Sequence, residues 1–117
     1  GLMLHHSLEA ARALSQEGVS VEVIDLRTIR PLDQETILQS VRKTSKALIV
    51  HEDTKFGGIG GEVAAIISES AFEYLDGPIM RLAGPEVPAM PFSPPLEAAY
   101  LPDKNRITDA ILKLVHY

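Results

Sequence analysis

Apolar residues recur at the spacing of an amphipathic helix in four stretches of the chain. The first stripe comprises Leu4, Leu8, Ala11 and Leu14. Gly18 follows this stripe and predicts that the first helix stops there. A second helix is predicted to begin after Asp33, which is a suitable N-cap, and Glu35 favours the positive start of a helix. Its predicted buried side comprises Ile37, Leu38 and Val41, and its last turn carries Arg42 and Lys43.

The third stripe is the most continuous, with positions i, i+3, i+4, i+7, i+8 and i+11 all on one side of a helix. It comprises Val63, Ile66, Ile67, Ser70, Ala71 and Tyr74. The pair Gly77 and Pro78 is predicted to end this helix. Asp103 is the predicted cap of a last helix, whose apolar face comprises Ile107, Ala110, Ile111, Leu114 and Val115.

Three short apolar runs between these helices predict β-strands. They are residues 21–26, 47–50 and 79–83, and the second run is uninterrupted, as is typical of a strand covered on both faces. Helices and strands therefore alternate along the chain. Because this alternation is typical of parallel strands joined by right-handed crossovers, we predict an α/β fold with three α/β/α layers and a mostly parallel sheet.

Length and composition limit the classes of function. The 117 residues suffice for one domain, residues 1–117, with a core that needs no disulfides, and the chain contains no cysteine. The net charge of −5, with both signs mixed along the chain, argues against nucleic-acid and membrane surfaces, because these need clustered cations. No apolar run approaches the roughly 18 residues of a membrane span. Residues 1–6 lack the pattern of a signal peptide, so we expect a protein that is not secreted.

Residues 51–62 (HEDTKFGGIGGE) are the segment that most resembles an active site. His51, Glu52 and Asp53 lie at a predicted strand end, where parallel sheets bind ligands, and such residues can transfer protons or hold a metal. Successive strand residues point to opposite faces, however, so these three side chains do not converge without a turn. The glycines that follow can attract an anion at a helix start, but the dinucleotide spacing and the P-loop lysine are absent. We favour a polar strand end and a closely packed glycine turn. Catalysis, metal binding and phosphate binding remain alternatives.

Two other features have no predicted chemistry of their own. His5 and His6 are adjacent on the first helix, where their directions differ by about 100°, so we interpret them as partly exposed helix residues. Residues 84–102 carry six of the eight prolines and are predicted to lack regular structure. This segment is nevertheless apolar, so it is predicted to pack against its own domain or against a partner.

Three segments together resemble a known family. They are residues 25–33 (DLRTIRPLD), residues 51–62, and the proline-rich tail with residues 84–97 (GPEVPAMPFSPPLE) and 100–102 (YLP). The family is the β subunit of the E1 component of 2-oxo acid dehydrogenase complexes. The matching region is its C-terminal, transketolase-like domain, and the resemblance covers essentially the whole chain. Details of residues 51–61 and 84–88 resemble the branched-chain (2-oxoisovalerate) members more than the pyruvate members.

The resemblance implies a thiamine-dependent oxidoreductase. E1 decarboxylates a 2-oxo acid on thiamine diphosphate with Mg²⁺ and transfers the acyl group to lipoyl groups on E2. In this family the cofactor lies between the α subunit and the N-terminal domain of the β subunit. The resemblance therefore implies that this domain supplies no catalytic, cofactor-binding or metal-binding residue and is inactive alone. It also implies cytoplasmic localisation in a bacterium, or the mitochondrial matrix in a eukaryote.

The partners implied by the resemblance are the E1 α subunit or a fused α region, a second β subunit, and the E2 lipoyl acyltransferase. The E2 domain that docks in this family is small and basic, so an acidic patch would attract it. Asp76, before the Gly-Pro turn, matches a family position implicated in this contact, and the carboxylate of Tyr117 is the second candidate. The sequence leaves open which 2-oxo acid is the substrate and whether α and β are fused.

The family also has a central strand ahead of its first helix, whereas only residues 1–3 precede that helix here. We therefore expect a fragment of a longer chain whose domain lacks this strand. Its sheet is predicted to have three strands, with a gap or an exposed apolar edge. Two rival functions remain open. One is a deoxyxylulose-phosphate synthase-like or transketolase-like enzyme, and the other is a free-standing α/β module that binds an anion at residues 57–61.

Overall fold

The computed structural model describes residues 2–26, 33–51, 59–83 and 103–117. The helices are α1 (Leu2–Ser15), α2 (Gln34–Thr44), α3 (Ile59–Ser70) and α4 (Lys104–Val115), with a short 3₁₀ helix at Phe72–Tyr74. The strands are β1 (Leu48–His51) and β2 (Met80–Ala83). The predictions made for residues 52–58 and for the proline-rich tail lie outside the described residues. In the described part of the chain, no helix combines the length and the apolar character that crossing a membrane requires.

Both predicted N-caps are confirmed. Asp33 accepts hydrogen bonds from the hydroxyl of Thr36 at 2.7 Å and from its backbone N–H at 3.2 Å. The hydroxyl bond and then the backbone bond lower the pKa of Asp33, because both favour the ionised carboxylate. Asp103 caps α4 in the same way through the backbone N–H of Arg106 at 2.8 Å. These caps satisfy N–H groups that have no partner within the helix.

The observed end of α1 is also close to the predicted end. The helix ends at Ser15, and Gly18 adopts a positive φ of 84° that glycine reaches without a steric penalty. The N–H of Val19 then donates to the carbonyl of Leu14 at 3.0 Å, which closes the last turn. The chain consequently leaves α1 toward the sheet.

The predicted extent of α3 was too long. The helix ends at Ser70, because Ala71 departs from helical geometry (φ −140°, ψ 14°), and Phe72–Tyr74 forms a separate 3₁₀ turn. Only part of the predicted stripe is buried: Val63, Ile67 and Ala71. Tyr74 was predicted to continue this buried face and instead lies at the surface with 43% exposure. Helical periodicity alone therefore gave the wrong end for this helix.

The predicted three-layer architecture is confirmed. Strands β1 and β2 pair in parallel, with Leu48 opposite Met80 and His51 opposite Ala83. Helices α1 and α4 pack together on one face, and α2 and α3 on the other. Alternate β1 residues contact opposite layers: Ile49 belongs to the α2–α3 core, whereas Leu48 and Val50 contact the α1–α4 core. The period of two in a strand explains this division.

The predicted number of strands was wrong, whereas the predicted gap is present. Residues 21–26 form no strand, and the sheet of the described residues contains only β1 and β2. A cleft of about 600 Å³ lies between residues 19–26 and β1, and the start of α1 also lines it. A strand requires a neighbour to complete its ladder of hydrogen bonds, and the cleft separates residues 19–26 from β1. Leu2 and Met3 belong to α1, so they do not fill this position.

Candidate docking surface

Asp76 lies in the turn between the 3₁₀ helix and β2. Its backbone N–H donates to the carbonyl of Ser45 at 3.0 Å, which ties this turn to the end of α2. Ser45 is the C-cap of α2 and adopts a left-handed conformation with φ 65°. The Asp76 carboxylate accepts a hydrogen bond from the ammonium group of Lys46 and remains 60% exposed. The predicted docking carboxylate is therefore accessible to solvent and fixed at its backbone.

Tyr117 lies beside the same turn. Its backbone N–H donates to the carbonyl of Leu114 at 3.2 Å, which holds the residue against the end of α4. Its ring covers Gly77: a Cβ atom added to that glycine would lie 3.4 Å from Cδ1 of the tyrosine. Tyr117 is nevertheless 77% exposed. The fold thus brings together Asp76 and Tyr117, the two residues predicted to bind a partner, although about forty positions separate them in the sequence.

Two exposed aromatic side chains lie in the 3₁₀ helix that precedes the Asp76 turn, and no motif in the sequence predicted a role for them. Phe72 is 73% exposed, and Tyr74 lies next to it in the 3₁₀ helix. The guanidinium group of Arg42 lies 5.9 Å from the centre of the Tyr74 ring, at the distance of a cation–π contact. We call Phe72, Tyr74, Asp76 and Tyr117 the docking surface. Phe72 was missed because it lies outside the predicted apolar stripe and belongs to none of the motifs.

The docking surface combines two kinds of chemistry. Its aromatic rings offer apolar area, and Asp76 offers a carboxylate that can bind a cation. Residues that anchor protein interfaces are often aromatic, and a charge of one sign steers a partner of the other sign. This combination suits a protein partner with a basic and an apolar contact.

His51 has a packing role in the structure. Its imidazole lies against the first turn of α3, so that a Cβ added to Gly60 would be only 2.6 Å from Nε2. A Cβ added to Gly61 would lie 3.6 Å from Nη1 of Arg81, which is an ordinary contact distance. The glycines at the start of α3 thus allow the helix to approach the strand ends closely. Close approach is the conformational role that we favoured for this part of the glycine segment.

The described residues do not assemble a metal site. Nowhere in residues 2–26, 33–51, 59–83 and 103–117 do three or more His, Asp or Glu side chains form a group that could hold a metal ion. His5 and His6 lie on α1, where Nε2 of His5 is 2.8 Å from Glu9 Oε1. His5 is mostly exposed and His6 is half-buried, which confirms the interpretation of this pair.

Comparison with known proteins identifies the family. The family model for the transketolase C-terminal domain matches residues 1–107. The chain belongs to the transketolase C-terminal domain family. A solved structure described as a split-gene transketolase, an inactive β4 tetramer, superposes with a TM-score of 0.80 over 99% of this chain at 28% identity. This chain covers 36% of that structure.

Two curated relatives of this transketolase C-terminal domain are β subunits. The chain is 47% identical over its whole length to the 2-oxoisovalerate dehydrogenase subunit beta of Bacillus subtilis and covers 36% of that protein. It is 43% identical over 95% of its length to the pyruvate dehydrogenase E1 component subunit beta of Rickettsia felis, of which it covers 34%. The chain thus spans about a third of the length of these relatives, and the predicted resemblance to E1 β subunits is confirmed.

Proposed function

We propose that this domain is the C-terminal part of the β subunit of a thiamine-diphosphate-dependent 2-oxo acid dehydrogenase E1. The observation that carries the proposal is the alignment of the whole chain with such a β subunit at 47% identity. The reaction is the oxidative decarboxylation of a 2-oxo acid and acyl transfer to the lipoyl groups of E2. A branched-chain 2-oxo acid is the favoured substrate, because the 2-oxoisovalerate relative aligns over the whole chain, whereas pyruvate relatives align over 92–95% of it.

Within this enzyme the domain serves assembly and docking. Thiamine diphosphate and Mg²⁺ would be held outside this domain, by the α subunit and by the preceding domain of the β subunit, and would supply the chemistry of decarboxylation there. The domain contacts the α subunit and a second β subunit. The bacterial form is cytoplasmic and a eukaryotic form is in the mitochondrial matrix. Mitochondrial pyruvate dehydrogenase E1 β subunits of rice and Dictyostelium discoideum are similar to this chain, which supports the eukaryotic location.

The domain also belongs to a longer chain in this proposal. The curated relatives are about three times as long, and the cleft beside β1 offers space for one more strand. The cleft opens at the start of α1, so a strand that leads into this helix would enter the sheet there. The right-handed crossover through α1 then connects that strand to residues 19–26.

The second role is docking of E2 at the docking surface. Asp76 supplies a carboxylate, and Phe72 and Tyr117 supply exposed rings. A small basic domain would be steered to Asp76 by its charge and retained by contact with the aromatic rings. The proposal thus assigns the polar contact to Asp76 and the apolar contact to Phe72.

Charge reversal at Asp76 tests this role. In the assembled E1, Asp76→Arg is expected to weaken binding of the peripheral-subunit-binding domain of E2 at least about tenfold, because an attraction becomes a repulsion. Isothermal titration calorimetry measures the change. Asp109→Arg is the matched control, because it makes the same charge change at an exposed position in the middle of α4. Equal affinities for the Asp76 variant and the wild type would rule out the assignment.

A transketolase-like activity is the second candidate, because the split-gene transketolase shares the fold over nearly the whole chain. The two reactions have different acceptors. An E1 reduces an artificial electron acceptor when it is given a branched-chain 2-oxo acid, whereas a transketolase transfers a two-carbon unit between sugar phosphates. We expect the assembled enzyme to show the first activity. Sugar-phosphate transfer without 2-oxo acid decarboxylation would favour the second candidate.

A further inference from the structure

A cation of the same chain pairs with the carboxylate of the docking surface. The ammonium group of Lys46 contacts Oδ1 of Asp76, the carboxylate assigned to the partner. The Lys46 side chain is only 26% exposed, whereas Asp76 is 60% exposed. The backbone bond from the Asp76 N–H to Ser45 holds the two residues next to each other whether or not the ion pair forms. The fold therefore places the Lys46 ammonium group beside the Asp76 carboxylate.

A partner cation meets this lysine when it approaches Asp76. It can displace the ammonium group from Oδ1, which ends an existing hydrogen bond. It can also bind the other carboxylate oxygen, which places two positive charges on one carboxylate, where they repel each other. Both routes reduce the gain in free energy from the new contact. Lys46 thus opposes the same ion pair that the docking proposal requires.

We propose that Lys46 is an intramolecular competitor for the docking carboxylate and keeps the affinity for the basic partner domain low. This inference rests on the proposed docking function. The occupant of Asp76 in the complex is a lysine or arginine side chain of that domain. A docking surface weakened in this way releases its partner faster, because changes of affinity within one interface act mainly on dissociation.

The test removes the competitor and keeps the aliphatic stem. Lys46→Met retains the part of the side chain that lines the cleft beside β1 and removes only the charge. In the assembled E1, we expect the E2 domain to bind this variant about threefold more tightly, the size expected for one exposed ion pair. High salt should reduce this gain in affinity, because screening weakens the attraction between Lys46 and Asp76.

Lys43→Met is the matched control. Lys43 is also on the α2 side of the domain, is 72% exposed and forms a single ion pair, with Glu22 at 2.7 Å. Its substitution changes the net charge by the same amount, so it reports the long-range effect of losing one cation. We expect its affinity gain to be clearly smaller. Equal gains for the two variants, or weaker binding by Lys46→Met, would overturn the proposal.

Asp76→Asn separates the two proposals. If this variant binds the E2 domain as the wild type does, Asp76 is not a docking residue, and the docking proposal fails. If it binds more weakly while Lys46→Met and Lys43→Met behave alike, only the competitor proposal fails. In the Asp76→Asn background, Lys46→Met should no longer tighten binding, because the contact for which it competes is absent. A persistent gain in the double variant would contradict competition at Asp76.

Discussion

The contact between His51 and Gly60 gives a quantitative prediction about the glycine turn. Gly60→Ala places a Cβ atom 2.6 Å from Nε2 and 2.9 Å from Cδ2 of His51. Both distances are shorter than nonbonded atoms tolerate. The two ring nitrogens of His51 are buried, so the imidazole is enclosed where it meets α3. The ring or the first turn of α3 must therefore move.

The expected cost follows from two opposing effects. Overpacking of a well-packed site costs about 1–3 kcal/mol of unfolding free energy. Replacement of glycine by alanine in a helix returns up to about 1 kcal/mol. Gly60→Ala should thus destabilise the protein by about 0–3 kcal/mol, a range too wide to be decisive alone.

Gly61→Ala removes this ambiguity. The neighbouring glycine lies in the same first turn of α3, but its added Cβ would be 3.6 Å from Nη1 of Arg81, an ordinary contact. The helix-propensity gain is shared by both variants and cancels in their difference. We therefore expect Gly60→Ala to be about 1–3 kcal/mol less stable than Gly61→Ala, which is the overpacking cost alone.

Urea denaturation followed by circular dichroism measures this difference from the transition midpoints. Removal of the ring with His51→Ala should recover much of the loss in the Gly60→Ala background, since the two residues are in contact. Equal midpoints for the two glycine variants would refute the packing role of His51. Additive effects of His51→Ala and Gly60→Ala would refute it independently.

Two further predictions concern the core and the first N-cap. Ile67 is 2% exposed in the α2–α3 core, so Ile67→Ala should cost about 2–5 kcal/mol of unfolding free energy in the same assay, and a loss below about 1 kcal/mol would contradict its burial. The pKa of Asp33 is lowered by Thr36, so its contribution is complete above the unfolded pKa and is lost as the pH falls through the folded value. Asp33→Asn keeps a good cap without this titration, and its urea midpoint should fall less than that of the wild type from neutral pH to about pH 3.

Local features of the chain were predictable from the sequence. Asp33 and Asp103 cap helices through groups only three residues away, so their geometry depends on little else. The apolar run at residues 47–50 and the run at residues 79–83 lie close to β1 and β2. The alternation of helices and strands predicted the three-layer fold, and the family resemblance predicted the gap in the sheet.

Other features depended on distant parts of the chain. Residues 21–26 have the composition of a strand, but a strand exists only when a neighbour completes its hydrogen bonds, and the cleft separates these residues from β1. Tyr74 continues a helical stripe in the sequence, yet α3 has ended before it. In both places the periodicity was present and the tertiary environment that it requires was absent.

The sequence by itself determined the layer order and the helix caps of this protein, because these follow from local chemistry and from the pattern of apolar positions, and the resemblance of three segments indicated the family. Only the tertiary structure decided that Tyr117 lies on Gly77, next to Asp76, and that Lys46 contacts that carboxylate. These contacts join the ends of α2 and α4 to the turn before β2. No spacing in the sequence encodes them, because they arise from how separate elements pack on one sheet.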